Sequence, residues 1–265
     1  MSGFDYKPGW KDPRKYGKYF NYFAEYVKYG DFKSLKHSLN YIFAHKFPKA
    51  DYVTSSGMGK YLIRKGSNDF QFINYAYEKS IKDYFVKNMD TFDVFIDVGA
   101  CIGEYDIWLA RHGKRCIAVE PVSFKSLRTN IEMNNLQDKI KVFACGVGAK
   151  KDRVYFEIMD HLISSSHYER ESGKEPNVDI ERIDDLATQF GLKPEDRVIL
   201  KLDVEGMEAE AIAGAVEFIR SRKDLRVIYE HFEEDNFRND KALLAVADFD
   251  FATMDEANRI AIKKA

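Results

Sequence analysis

A chain of 265 residues with 45% hydrophobic and 32% charged side chains has the makeup of a folded globular protein, with one substantial core plus an appendage or two small domains. No apolar run approaches the roughly 20 residues needed to cross a bilayer, and the N-terminal stretch lacks the apolar core of a secretory signal. Three cysteines (Cys101, Cys116 and Cys145), odd in number and without a CxxC pair, argue against a disulfide framework or a zinc site, so reduced thiols and a cytoplasmic location are expected.

The net charge of −2 hides an asymmetry. Residues 1–93 carry 16 basic against 10 acidic side chains and 23 of the 38 aromatics, whereas the remainder carries 25 basic against 33 acidic. Two parts are therefore expected: an aromatic-rich helical cap over 1–93, with a hairpin near 51–64, and a second domain over 94–265. A basic, aromatic face suits phosphate, a lipid surface or an acidic sugar; the plainer alternative is aromatics packed inside a helical cap whose lysines stay solvated.

From Tyr16 to Phe47 the apolar spacing is helical. Tyr19, Phe20, Phe23, Tyr26 and Val27 form one set, and Leu35, Leu39, Ile42 and Phe43 another, separated at Gly30-Asp31 and ended by Pro48. Tyr52-Val53-Thr54 and Tyr61–Arg64 flank Ser55–Gly59 as a hairpin, and Ser67-Asn68-Asp69 opens a helix predicted from Phe70 to Lys87. Beyond Asp93 short apolar runs alternate with helical stretches. The runs are Val94–Val98, Cys116–Val119, Ile140–Ala144, Val198–Leu202 and Leu225–Tyr229. Helices are predicted over Ile102–His112, Phe124–Asn134, Asp184–Phe190, Glu208–Arg222 and Asn236–Ala247. Unbroken apolar runs suit strands buried on both faces, so the fold class is α/β, a Rossmann-like and mostly parallel sheet covered by helices. Phe249–Met254 and Arg259–Lys263 read as a closing antiparallel hairpin, and Asp160–Pro176 as a loop over the site.

The strongest local signal is Phe95-Ile96-Asp97-Val98-Gly99-Ala100-Cys101-Ile102-Gly103-Glu104, a buried strand running through a glycine turn into a helix. Ligands of open parallel sheets bind at such strand ends. Gly99 lets backbone approach a ligand, Gly103 lets the helix pack close, and Glu120, ending the next strand, is spaced to hold ribose hydroxyls. A dinucleotide fingerprint needs a glycine where Cys101 stands, and carboxylates at Asp97 and Glu104 repel a pyrophosphate. They suit a cationic amino acid and a sulfonium.

Asp97-Val98-Gly99-Ala100-Cys101-Ile102-Gly103, Glu120-Pro121, Asn130 with Asn134, Cys145-Gly146-Val147-Gly148 and Lys201-Leu202-Asp203-Val204-Glu205-Gly206-Met207-Glu208 together resemble the FkbM family of methyltransferases. Arg64–Asp69 resembles the stretch preceding that family's core, and the likeness runs from about Tyr61 to the C-terminus. Cys101 departs from the family's usual Asn, and the first sixty residues match nothing in it. The resemblance implies a class I methyltransferase sheet using S-adenosylmethionine. It implies that Asp97, Gly99, Ala100, Gly103 and Glu104 frame the methionine end, that Glu120 and Pro121 lie at the ribose, and that Gly146 and Val147 lie beside the adenine. Asp203 and Glu205 would face the methyl group and the acceptor, a hydroxyl or carboxyl of a sugar, glycan, glycolipid or secondary metabolite.

An alcohol acceptor needs a base, and the candidates at strand ends are Asp203, Glu205, Glu230 and His231; His161 and His167 sit in the predicted loop. Asp203 and Glu230 are the acidic strand ends that a metal-assisted variant would use, but no third ligand is evident and no metal is expected. For Glu208, a place in the first helical turn, facing the helix dipole, is explanation enough. Nucleic acid is disfavoured as a substrate by the acidic second domain. A nicotinamide-dependent oxidoreductase, or a nucleotide-binding protein without catalysis, is the alternative from another class.

Overall fold

The computed structural model describes residues 15–157, 167–169, 174–204, 206–231 and 236–264. They divide into two compact units, the chain passing from one to the other at Lys79.

In the first unit, helices α1 (Tyr16–Lys28) and α2 (Phe32–Ala44) are separated where Gly30 takes a left-handed φ of 67°. Asp31 caps α2 by accepting from the Ser34 amide at 3.0 Å, and the same oxygen accepts from the Thr54 hydroxyl at 2.6 Å. That second bond ties the helix start to the expected hairpin, β1 (Tyr52–Ser55) with β2 (Lys60–Ile63). The Arg64 guanidinium holds Asp69 through two bonds of 2.8 Å, both side chains buried, at the start of the short helix α3 (Asp69–Phe72). The helix expected over 70–87 is two helices. Asn74 bonds the Ala76 amide at 2.9 Å and the Tyr22 carbonyl at 3.0 Å, offering the backbone a local alternative to the helix, and Glu78 is left-handed.

The second unit begins within α4 (Lys79–Asn88). Phe85 packs against Phe92, Phe95, Tyr105 and Trp108, so α4 belongs with the large core although composition changes only near Asp93. There follow β3 (Val94–Val98), α5 (Glu104–Arg111), β4 (Arg115–Val119), α6 (Phe124–Met133) and β5 (Ile140–Phe143). Next come β6 (Gly146–Val147), β7 (Asp152–Glu157), β8 (His167–Glu169), β9 (Val178–Glu181) and α7 (Ile183–Ala187). The chain continues through β10 (Val198–Leu202), α8 (Glu208–Ala213), α9 (Val216–Ser221), β11 (Leu225–Glu230), α10 (Arg238–Leu244), β12 (Phe249–Thr253) and β13 (Asn258–Lys263).

The main sheet has the order β12-β13-β11-β10-β3-β4-β5, and only β13 runs against its neighbours. Every residue of β3 and β10 is buried, as the unbroken apolar runs require. The chain steps outward from β3 to β5 and returns to β10 on the other side, so strand order reverses between β3 and β10. A crevice at the carboxyl ends of these two strands follows from that topology.

Three expectations are corrected. The helix over 208–222 is broken at Gly214, which lies against the backbone of Gly148. Asp184 bridges the break: its amide donates to the Gly214 carbonyl at 2.9 Å, and its carboxylate caps α9 at the Phe218 amide at 2.8 Å. The helix expected from Asn236 starts at Arg238, because Asn236 and Phe237 both have positive φ. Strands β6, β9, β7 and β8 form a second sheet that apolar runs did not announce. Of the expected loop over 160–176, residues 160–166 and 170–173, with His161, lie outside the described residues; 167–169 pair with β7. Among the described residues no helix is long and apolar enough to cross a membrane.

Candidate active site

The turn after β3 is built by backbone geometry that few residues tolerate. Gly99 has φ 91°, and a Cβ there would lie 1.9 Å from the carbonyl oxygen of Asp203. Its amide donates to the Val119 carbonyl at 2.9 Å, extending the β3–β4 ladder one residue past the strand. Ala100 and Ile102 are buried, Cys101 is left-handed at φ 46°, and Gly103 at φ 82° closes the turn onto the Ala100 carbonyl at 2.7 Å. Helix α6 clamps it from outside. Asn130 donates to the Ile102 carbonyl at 3.0 Å, and Leu127 fills the space a Cβ on Gly103 would need.

Glu120 follows β4 directly and is buried. Its Oε1 accepts from the amides of Val122 and Ser123, both at 2.7 Å, and its Oε2 accepts from the Cys101 amide at 3.0 Å. Pro121, half-buried between them, has no N–H to contribute. One carboxylate thus fixes both turns that flank the strand ends.

Beside the turn is a cluster of buried charge. Asp97, Glu104, Asp106, Lys82 and Lys201 are all buried, and α5 is buried over every residue from Glu104 to Ala110. Asp97 pairs in register with Lys201 across β3 and β10. Burial first, and then the charge of Asp97, push the Glu104 carboxyl up to about 8, against the opposing pull of Lys201 and Lys82. Burial, and then the charges of Asp97 and Glu104, hold the Asp106 carboxyl well above its ordinary range. The ammonium groups of Lys82 and Lys201 each lie 5.3 Å from the centre of the Tyr105 ring. Such a donor set, rich in carboxyls out of reach of water, is chemically complementary to a ligand that brings a positive charge.

At the end of β10, Asp203 accepts from Lys201 Nζ at 2.6 Å through Oδ2, while its other oxygen makes no hydrogen bond among the described residues. The Asp203 amide donates to the Val98 carbonyl at 2.9 Å, which holds the residue opposite Gly99. Glu205 lies outside the described residues. Glu208, buried, turns back to accept from the amides of Val204 at 3.1 Å and Gly206 at 3.2 Å, and burial raises its carboxyl. It holds its own loop as well as facing the helix dipole.

The structure therefore gathers Asp97, Gly99, Ala100, Gly103, Glu104, Glu120, Pro121 and Asp203 at adjoining ends of β3, β4 and β10. The remaining candidates follow the carboxyl ends of the neighbouring strands: Gly146 and Val147 come just after β5, and Glu230 and His231 come after Tyr229, which pairs with Leu202 of β10. Gly146 and Val147 pair with β9, with Ile180 pressed over Gly146 and Val147 in the core. The Glu230 carbonyl accepts from Asn239 at 3.0 Å. The His231 amide donates to the Ala257 carbonyl at 2.7 Å, and its ring stacks on Phe237 with centroids 5.0 Å apart. Of His167 only the backbone is described. Sequence reasoning missed Lys82 and Asp106 and gave Lys201 no role. Lys201 had a signal, a lone charge inside the apolar run Val198–Leu202. Asp106, between the apolar Tyr105 and Ile107, had a weaker one.

The chain matches the Methyltransferase FkbM domain over residues 97–257. None of the curated proteins matches it. Among solved structures it is similar to the methyltransferase FkbM of Methylobacillus flagellatus KT, at 22% identity over 64% of this chain and 43% of that one, with a TM-score of 0.48. It is also similar to the Pyrococcus abyssi tRNA (uracil-54, C5)-methyltransferase in complex with S-adenosyl-L-homocysteine, at 13% identity over 81% of this chain and 44% of that one, with a TM-score of 0.43. The chain spans less than half the length of either.

Proposed function

Because the chain belongs to the FkbM methyltransferase family, we propose that it transfers a methyl group from S-adenosylmethionine to an oxygen of a sugar, glycan, glycolipid or other secondary metabolite. The fold is the Rossmann-like one of class I methyltransferases. The observation that carries the cofactor assignment is the glycine turn seated against Asp203, with the buried carboxyls of Asp97, Glu104 and Glu120 around it. Those residues fit the group: the buried carboxyls supply what a cation needs.

S-adenosylmethionine supplies a sulfonium-bound methyl, whose positive charge disperses during transfer. In this reading Asp97 and Glu104 bind the ammonium end, and Glu120, already held by three backbone amides, presents an ordered carboxylate to ribose hydroxyls. Lys201 fixes the Asp203 carboxylate at the end of the neighbouring strand. Asp203 takes the proton of an alcohol acceptor and aligns it; a carboxylate acceptor needs only the alignment. Glu208 keeps the loop that carries Asp203 in place.

Titration calorimetry with S-adenosylhomocysteine and with NAD(H) tests the cofactor. Binding of the first alone is expected; binding of NAD(H) alone would reverse the assignment to an oxidoreductase. Transfer of labelled methyl to a panel of sugar hydroxyls and carboxyls then identifies the acceptor. Asp203→Asn should lower turnover more than cofactor affinity, by about 100-fold for loss of a general base.

A further inference from the structure

We propose that the exposed apolar rows of α1 and α2 are a contact for a membrane surface, seated on anionic phospholipid headgroups. Seven of the eleven large hydrophobic side chains exposed among the described residues lie between Tyr16 and Val53, so the exposure is concentrated and not scattered. On α1, Tyr16, Phe20 and Val27 stand four and seven residues apart and share one face, displaced from the buried Tyr22 and Tyr26. On α2, Phe32 and Phe43, eleven residues apart, share a face away from the buried Ser34, Ser38 and Ile42. Phe20 is 72% exposed, Phe32 63% and Phe43 61%, values that leave each ring able to enter another medium.

Charge selects the occupant. Residues 15–50 contain seven lysines and two acids. Of the acids, Asp31 is buried as the α2 cap, and Glu25 pairs with Lys28 at 3.8 Å. Lys18, Lys33, Lys36, Lys46 and Lys49 are exposed. On α2, Lys36 lies in the Phe32/Phe43 row and Lys33 beside it, and an apolar row carrying lysines fits the boundary between acyl chains and anionic headgroups. A second copy of the chain would bring like charge against like. A nucleic acid would use the lysines but gain nothing from Val27, which has no ring to stack on a base.

The test is flotation of the full chain with vesicles of phosphatidylcholine alone and with about one third phosphatidylglycerol. Binding is expected to the anionic vesicles, reduced about tenfold or more by Phe20→Ser/Phe32→Ser/Phe43→Ser and likewise by Lys33→Glu/Lys36→Glu. A separate variant, Phe20→Trp, should shift its fluorescence to the blue on anionic vesicles, which reads insertion even where the multiple variants fold poorly. Absence of vesicle binding overturns the proposal. So does equal binding by the phenylalanine variant, a self-association that the phenylalanine variant dissolves, or retention of single-stranded RNA without retention of vesicles.

Discussion

The carbonyl oxygen of Asp203 lies so close over Gly99 that the two strand ends meet backbone to backbone, with 1.9 Å left for any Cβ. Neither strand can move away cheaply, because β3 and β10 are paired in register from Val94 and Val198 onward. Gly99→Ala should therefore destabilise the fold by roughly 3 kcal/mol, from overpacking added to left-handed strain, and abolish binding of S-adenosylhomocysteine. Gly113, also left-handed at φ 88° but with open space around it, is the control. Gly113→Ala should cost only about 1 kcal/mol. Equal losses in urea denaturation would show that the Asp203 contact does not restrain Gly99.

Cys101 carries a backbone conformation that suits other residues better. At φ 46° it is in the left-handed region, where Asn is tolerated and Cys is not favoured. Its amide nevertheless holds Glu120, so the conformation is imposed by the site. Cys101→Asn keeps that amide and should raise stability by about 1 kcal/mol, read as a higher urea midpoint at unchanged slope. A lower midpoint would mean that the thiol packs in a way Asn cannot match.

The large sheet was legible because burial on both faces writes continuous apolar runs. Val94–Val98 and Val198–Leu202 are strands with those very limits, and the closing hairpin stands where expected. The second sheet was not, because β9 reads Val-Asp-Ile-Glu and buries only Val178 and Ile180, too short an alternation to stand out. Helix breaks were equally silent. Asp184 caps α9 from 34 residues away, and Asn74 interrupts a helix by reaching back to Tyr22, both long-range choices. In the site, the glycine turn and Glu120 announced themselves by spacing. Lys82 lies on a helix whose neighbours Ile81 and Phe85 read as ordinary core, and only folding reveals that the lysine is buried with them.

Glu120 has a second task that complicates its removal. Its three backbone bonds hold the turns after β3 and β4, so Glu120→Ala loses the proposed cofactor contact and the scaffold together. The stability cost should be about 2–4 kcal/mol, since charge-assisted bonds are lost and buried amides are left without acceptors. Glu120→Gln retains one carbonyl oxygen for Val122 and Ser123. It should fold with a much smaller loss and still bind S-adenosylhomocysteine at least tenfold more weakly, a difference of about 1.4 kcal/mol. Calorimetry on the Gln variant is the decisive measurement, and unchanged affinity there would remove Glu120 from the cofactor contact.

The raised carboxyl of Glu104 gives cofactor binding a proton signature. With burial and then Asp97 holding it up to about 8, most ligand-free molecules carry Glu104 protonated at neutral pH. A ligand ammonium placed against Asp97 and Glu104 favours the carboxylate, so binding should release up to one proton. Affinity for S-adenosylhomocysteine should then rise as pH goes from about 6 to about 8 and level off above. Stability of the ligand-free chain moves the other way. A carboxyl whose folded value exceeds its ordinary 4.5 supports the fold while protonated, in full below that value, and the support is lost as pH rises toward 8. Calorimetry at pH 7 in buffers of differing ionisation heat counts the proton, and urea midpoints across the same range follow the stability. Glu104→Gln should flatten both dependences; a slope that survives in that variant would assign the titration to another member of the cluster.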